Sequence, residues 1–217
     1  MRSTGFLKAA FGLVVVAALC LMCGGAQANT VVFSENFNEL TPQLSATSVG
    51  NFTAIDGTNV DILGGALFGS LCVSPESGNC IDMDGTAGNP QGVLESNAIT
   101  FLPGNTYYIS FDLIGSQRGV STMTSVSLGS LYNASFTLTS NNDTLGVVTN
   151  VPFTVSTMTV TNLIFTSDTP GDVGALLDNV LITSSRTSTT PEPSSLILLA
   201  TGLMGWGLFA GFHRARP

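Results

Sequence analysis

The chain has 217 residues, with fourteen acidic against six basic side chains, a formal net charge of −8 and a single histidine. A surface of this sign repels phosphate backbones and anionic lipid headgroups, which excludes nucleic acid as a partner. His213 sits near the C-terminus, so neither a Ser-His-Asp triad nor a His-ligated zinc can be built in the body of the chain.

In chain order, Arg2 and Lys8 precede an apolar stretch from Phe11 to Met22, and Ala26-Gln27-Ala28 offers a small-x-small cleavage site. Residues 1–28 therefore read as a secretory signal peptide and take no part in the fold. From residue 29 to 190 there are thirteen acids, Arg118 and Arg186, a net of −11, and no lysine.

From Thr30 onward, segments rich in Val, Ile, Phe, Tyr and Thr alternate with Gly, Asn, Asp and Pro clusters, and no long stretch carries a 3.6-residue period. The clearest strand is 106–114, where Tyr107, Ile109, Phe111 and Leu113 point one way and Tyr108, Ser110 and Asp112 the other. Further strands are expected at 31–37, 60–63, 92–101, 124–128, 135–139, 151–156, 159–166 and 175–183. About nine or ten short strands with turn residues between them predict an all-β antiparallel sandwich or barrel.

Cys72 and Cys80 flank a turn rich in Pro, Ser, Gly and Asn. In an exported chain such a close pair forms a disulfide, contributing about 2–3 kcal/mol for so short a loop. A thiolate metal site would need two further soft ligands, which are missing.

Strict alternation places Glu35 on one face with Val31, Phe33 and Phe37, and Asp178 on one face with Leu176, Val180 and Ile182. An inward carboxylate is costly unless paired or bound to a cation. Bases are scarce here, and hard oxygen ligands suit a structural Ca²⁺ shared by Glu35 and Asp178. The alternative is that either strand buries its opposite face and leaves its acid in water. Asp82 and Asp84 share a face of a short strand, and Arg118 is the sole base in mid-domain. They form either an internal ion pair or a grip on sugar hydroxyls. The acids would also permit a glycosidase-like dyad, but nothing in the sequence marks any two of them. Tyr107, Tyr108 and Tyr132 are the only tyrosines, and Trp206 lies in the tail, so stacking platforms for sugar rings are few.

The ordered segments Val60-Asp61-Ile62, Cys80-Ile81-Asp82-Met83-Asp84-Gly85, Pro103-Gly104-Asn105-Thr106-Tyr107, Ser110-Phe111-Asp112-Leu113, Gln117-Arg118-Gly119 and Leu177-Asp178-Asn179-Val180 resemble the galactose-binding-like jelly rolls of exported bacterial proteins and carbohydrate-binding modules. That resemblance implies a jelly-roll β-sandwich and a structural calcium site that would include Asp178. It leaves the ligand residues unmarked.

The end of the chain reads Pro191-Glu192-Pro193, an uncharged run from Leu196 to Phe212, then His213-Arg214-Ala215-Arg216-Pro217. The run, as a helix, would be roughly 25 Å long at 1.5 Å per residue, close to the hydrocarbon thickness of a bilayer, with Arg214 and Arg216 on the cytoplasmic side. The three-part tail resembles the sorting signal of PEP-CTERM proteins. That resemblance implies recognition by a membrane-embedded exosortase, cleavage near the box and delivery to the cell surface or an exopolysaccharide matrix. The expected organisation is a signal peptide (1–28), a β-sandwich (29–183), a Ser/Thr/Pro linker holding the box (184–195) and a transmembrane helix with basic tail (196–217). The expected role is non-catalytic, at the surface or in the matrix. A carbohydrate-binding module is the alternative, and an acid-pair glycoside hydrolase the third.

Overall fold

The structure, a computed structural model, describes residues 29–73, 78–88, 91–141 and 148–186. The signal peptide, the Pro191-Glu192-Pro193 box, the apolar run, Arg214 and Arg216 lie outside the described residues. Among those described, no helix is long and apolar enough to cross a membrane.

The first half of the domain supplies β1 (Asn29–Glu35), β2 (Gln43–Ala46), β3 (Ser48–Val49), β4 (Phe52–Ala54), β5 (Val60–Leu63), a single 3₁₀ turn (Gly69–Leu71), β6 (Cys80–Asp82), β7 (Val93–Ser96) and β8 (Ile99–Phe101). The second half supplies β9 (Asn105–Ile114), β10 (Thr122–Leu128), β11 (Tyr132–Leu138), β12 (Val148–Thr154), β13 (Thr159–Thr161), β14 (Leu163–Ser167) and β15 (Leu176–Arg186). Two antiparallel sheets result. One runs β12-β9-β15-β6-β5-β2, with β1 also paired to β15; the other runs β11-β10-β14-β7-β4-β3, and β8 and β13 form a small ribbon.

The sheets bury a common core, the arrangement of an antiparallel β-sandwich. Tyr107, Ile109, Phe111 and Leu113 of β9 enter it as their alternation predicts, and meet Val126, Leu128, Leu163 and Phe165 of the opposite sheet. Aromatic edges set the packing: Phe165 meets both Phe52 and Phe111 edge-on, with ring centroids 6.0 and 5.1 Å away. First and last strands lie side by side, Asn29 opposite Ser185 and Glu35 opposite Val180.

Three expected boundaries shift for identifiable reasons. The strand expected at 92–101 is two strands in different sheets, β7 and β8. That expected at 159–166 is likewise β13 and β14. Ser96 and Asn162 pin both breaks: Ser96 Oγ donates to Asn97 O (2.8 Å) and accepts from Leu163 N (2.9 Å), while Asn162 Nδ2 donates to Ser96 O (2.6 Å). The final strand also passes the expected boundary at Thr183. Ser184, Ser185 and Arg186 continue its ladder against Tyr107, Thr106 and Asn105, and Ser184 and Ser185 also pair with Thr30 and Asn29 of β1, so their Ser/Thr composition belongs to the strand and not to the linker.

Candidate functional site

The outer face of the seven-stranded sheet carries the acids. Asp61 on β5 stands directly opposite Asp82 on β6, and Asp178 on β15 directly opposite Asp112 on β9. Directly opposed residues in an antiparallel ladder share a face. This face is covered beside the acids by a second apolar cluster, Leu63, Cys80, Ile114 and Leu176, with Leu71 and Cys72 packed on it. The disulfide Cys72–Cys80 (Cα–Cα 5.6 Å) ties the residues after the 3₁₀ turn down onto β6.

Asp82 is fully buried, and its side chain pairs with the Arg118 guanidinium, which is one-third exposed. Its Oδ1 accepts from Gly174 N (2.8 Å) and Asp84 N (3.1 Å). Gly174 is required by this approach. A Cβ there would lie 2.6 Å from Asp84 N and 2.7 Å from Asp82 Oδ1. Burial pushes the Asp82 carboxyl up to about 7, against the pull of Arg118 and the two N–H donors; the Asp61 charge adds to the upward push. Asp61, 3% exposed, accepts from Ser45 N (2.7 Å), Thr86 N (3.1 Å) and Thr86 Oγ1 (2.6 Å).

Asp84 does not join the ion pair. It sits where the chain leaves β6 for the other sheet, bridged to Gln91. Its Oδ1 accepts from Gly92 N (3.3 Å), and Gly92 O in turn accepts from Ser167 N of β14 (2.8 Å). Burial holds its carboxyl above the usual range, with the Ser167 and Gly92 bonds opposing the rise.

Glu35 and Asp178 come to opposite faces of the seven-stranded sheet. Glu35 pairs with Val180, a core residue, and so faces inward at the rim. Its Oε1 accepts from Phe37 N (3.1 Å), and its Oε2 reaches across to Asn51 N (2.8 Å) in the β3–β4 turn of the other sheet. Asp178 faces outward with Asp112. The alternation that would put it beside Val180 and Ile182 breaks at Asn179, whose φ is +49°, where the β15–β9 register shifts between Asp178 and Leu181. Val31 likewise leaves the face of Phe33, because the β1–β15 register shifts between them, and Val31 is exposed. Among the described residues no group of three or more His, Cys, Asp or Glu comes together that could hold a metal. Glu35 and Asp178, facing opposite sides of the sheet, are not brought together as a shared ion would need.

Sequence reasoning missed Asp61 as a site residue. The available signal was an acid in a strand flanked by Val60 and Ile62. All four residues of β5 are buried, so its outward face is covered too. Gly174 carried no signal at all, since it lies 92 residues from Asp82 and its role exists only after folding.

Residues 189–214 match the PEP-CTERM protein-sorting motif. The match takes in Pro191, Glu192, Pro193 and Arg214, with Arg216 just beyond it, and it marks an exported protein with a C-terminal sorting signal. No curated protein matches the chain. Among solved structures, the CBM22-1 xylan-binding domain of Xyn10C from Paenibacillus barcinonensis is similar at 14% identity and a TM-score of 0.45, over 76% of this chain and 100% of that one. A family 35 carbohydrate binding module from Clostridium thermocellum is similar at 13% identity and a TM-score of 0.38, over 70% and 98%. A cleaved adhesin domain of Lys-gingipain from Porphyromonas gingivalis is similar at 13% identity and a TM-score of 0.41, over 76% and 100%.

Proposed function

We propose that the sandwich is the non-catalytic cargo of its C-terminal sorting signal, delivered by an exosortase to the cell surface or extracellular matrix and associated there with exopolysaccharide. The observation that carries this reading is the sorting motif at residues 189–214. The membrane would hold the chain through the apolar run after the Pro191-Glu192-Pro193 box until cleavage. Within the domain, the directly opposed acids Asp61 and Asp82 support a structural role over hydrolysis. A glycosidase dyad needs a sugar between its carboxylates. These two are buried, and their oxygens are taken by Ser45, Thr86, Gly174, Asp84 and Arg118.

A second reading, a carbohydrate-binding module, is favoured by the Arg118 surface. The guanidinium is one-third exposed and keeps donors beyond the Nη2 that pairs with Asp82. Phe68, which opens the 3₁₀ turn, is 57% exposed. An exposed aromatic face and a fixed guanidinium are what a sugar ring and its hydroxyls would use.

Intact-mass measurement of the cell-associated protein tests the first reading: loss of the residues that follow the box supports it, and an uncut C-terminus overturns it. Polysaccharide pull-down with wild type and Phe68→Ala tests the second. Retention lost in the variant supports glycan binding, and equal retention removes it.

A further inference from the structure

The two ends of the sandwich domain's chain emerge side by side. Asn29 stands opposite Ser185, and Arg186, the last residue of β15, stands opposite Asn105. Arg186 Nε donates to Asn105 Oδ1 (3.2 Å), and Asn105 Nδ2 donates to Leu102 O (3.4 Å) and to Tyr107 Oη (3.1 Å). Tyr107 Oη in turn accepts from Leu102 N (2.6 Å) and donates to Leu102 O (3.0 Å). Leu102 is thus fastened beside the point where the chain leaves the domain, and it directly follows β8 of the small ribbon.

That ribbon turns an apolar face outward. Ile99 and Phe101 are buried, so Thr100 and Leu102 point away from the core. Val160 pairs with Thr100 and Thr159 with Phe101, which puts Val160 and Met158 on the same outer side. Met158 is 65% exposed, the most of any large apolar side chain among the described residues; Val160 is 57% and Leu102 43% exposed. No acid occurs in 29–34, 97–111, 148–167 or 179–186, the segments that build this end and the strands leading to it, and Arg186 is exposed there. The opposed acids Asp112 and Asp178 lie eight residues (186 − 178) down β15 from Arg186. That is roughly 26 Å at about 3.3 Å per residue, or about three Debye lengths at physiological salt.

An exposed apolar row beside a cation, with no acid among them, suits the headgroup boundary of a bilayer. The chain itself brings such a surface within reach. Ten residues (196 − 186) separate Arg186 from Leu196, at most about 36 Å when fully extended. We propose that Leu102, Met158, Val160 and Arg186 form a lipid-docking face, on which the sandwich rests against the membrane that holds its C-terminal run. The three apolar side chains enter the boundary and Arg186 meets lipid phosphate, while the net −11 of residues 29–190 keeps other surfaces off anionic headgroups. This rests on the reading of the tail as a membrane-held sorting signal, and adds which surface of the cargo faces lipid before cleavage.

The test reconstitutes the full chain into vesicles of brominated phosphatidylcholine, with and without phosphatidylglycerol, and reads quenching of tryptophan emission against unbrominated vesicles. Trp206 is the only tryptophan of the chain, so the wild type reports on the tail alone. In a Trp206→Phe background, Met158→Trp reports on the docking face, and Leu44→Trp reports on an exposed position of β2, three ladders away from β15. Expected is quenching at position 158 about threefold stronger than at position 44, and stronger again with phosphatidylglycerol. Adding Leu102→Ser, Val160→Ser and Arg186→Gln, all exposed positions that leave the core intact, should lower it to the position-44 level. Equal quenching at the two positions, or quenching at 158 that these three substitutions leave unchanged, overturns the lipid face and leaves a protein partner to cover the ribbon. An unquenched Trp206 overturns the tail reading itself, and the docking face falls with it.

Discussion

Asp61 and Asp82 stand directly opposite each other on β5 and β6, two buried carboxylates on one face of the same ladder. Like charges in that relationship destabilise a sheet. The fold resolves the conflict asymmetrically. Asp61 is wrapped by the Ser45 and Thr86 donors, while Asp82 takes Arg118 and a carboxyl raised to about 7.

The raised Asp82 carboxyl makes stability pH-dependent in a defined direction. Its folded value of about 7 lies above the ordinary 3.8, so the native state holds this proton more tightly than the unfolded chain. The contribution is fully present below about pH 4 and is lost as pH rises through 7. Urea unfolding of the wild type between pH 5 and pH 8 should show this fall, and Asp82→Asn should flatten it. Equal pH dependence in the two proteins would remove Asp82 as its source.

Removing the partner should matter most when Asp82 is charged. For Arg118→Met we expect a loss of about 3 kcal/mol at pH 8, where an ionised buried carboxylate is left unpaired, and a much smaller loss at pH 5, where the proton takes over. Denaturant midpoints at the two pH values decide it. A pH-independent loss would mean that the Arg118 methylenes, and not its charge, stabilise the loop.

Gly174 offers a test of close packing without any charge change. The Cβ of Gly174→Ala would press on Asp84 N and Asp82 Oδ1 at once, and backbone on one side cannot yield like a flexible side chain. A loss of about 2–3 kcal/mol in thermal or urea unfolding is expected. A neutral result would show that the crossover after β6 can shift.

The disulfide should stabilise modestly. Cys72→Ala with Cys80→Ala closes no loop, and we expect a loss of about 2–3 kcal/mol, matched by reduction of the wild type. If the double variant loses far more than the reduced protein does, the packing of Leu63, Ile114 and Leu176 around Cys80 is the larger contribution.

The sequence made the core legible where alternation is regular. The four inward side chains of β9 are an example, because a period of two is a local property that tertiary contacts did not override. Alternation misled where the ladder slips. At Asn179 a left-handed residue turns Asp178 to the outer face while Val180 returns to the core, and nothing in Leu177-Asp178-Asn179-Val180 distinguishes that from a regular strand. The acid on β5 and the glycine opposite Asp82 were invisible for another reason: their roles come from pairings across sequence distances of 21 and 92 residues. The tail was the opposite case, since order, spacing and terminal position lie entirely in the linear chain.

The strand that closes the domain, β15, is flanked by β9 along one edge and by β1 and β6 along the other. Until those eleven residues have emerged, β9 and β12 have no ladder to β5, β6 and β2 among the described residues, and β1 has no strand to pair with. A ribosome or a translocation pore releasing this polypeptide from its N-terminus would hold an open, unzipped intermediate almost to the last. Assembly is thereby postponed until the chain is through, which is what a protein threaded across a membrane in extended form needs.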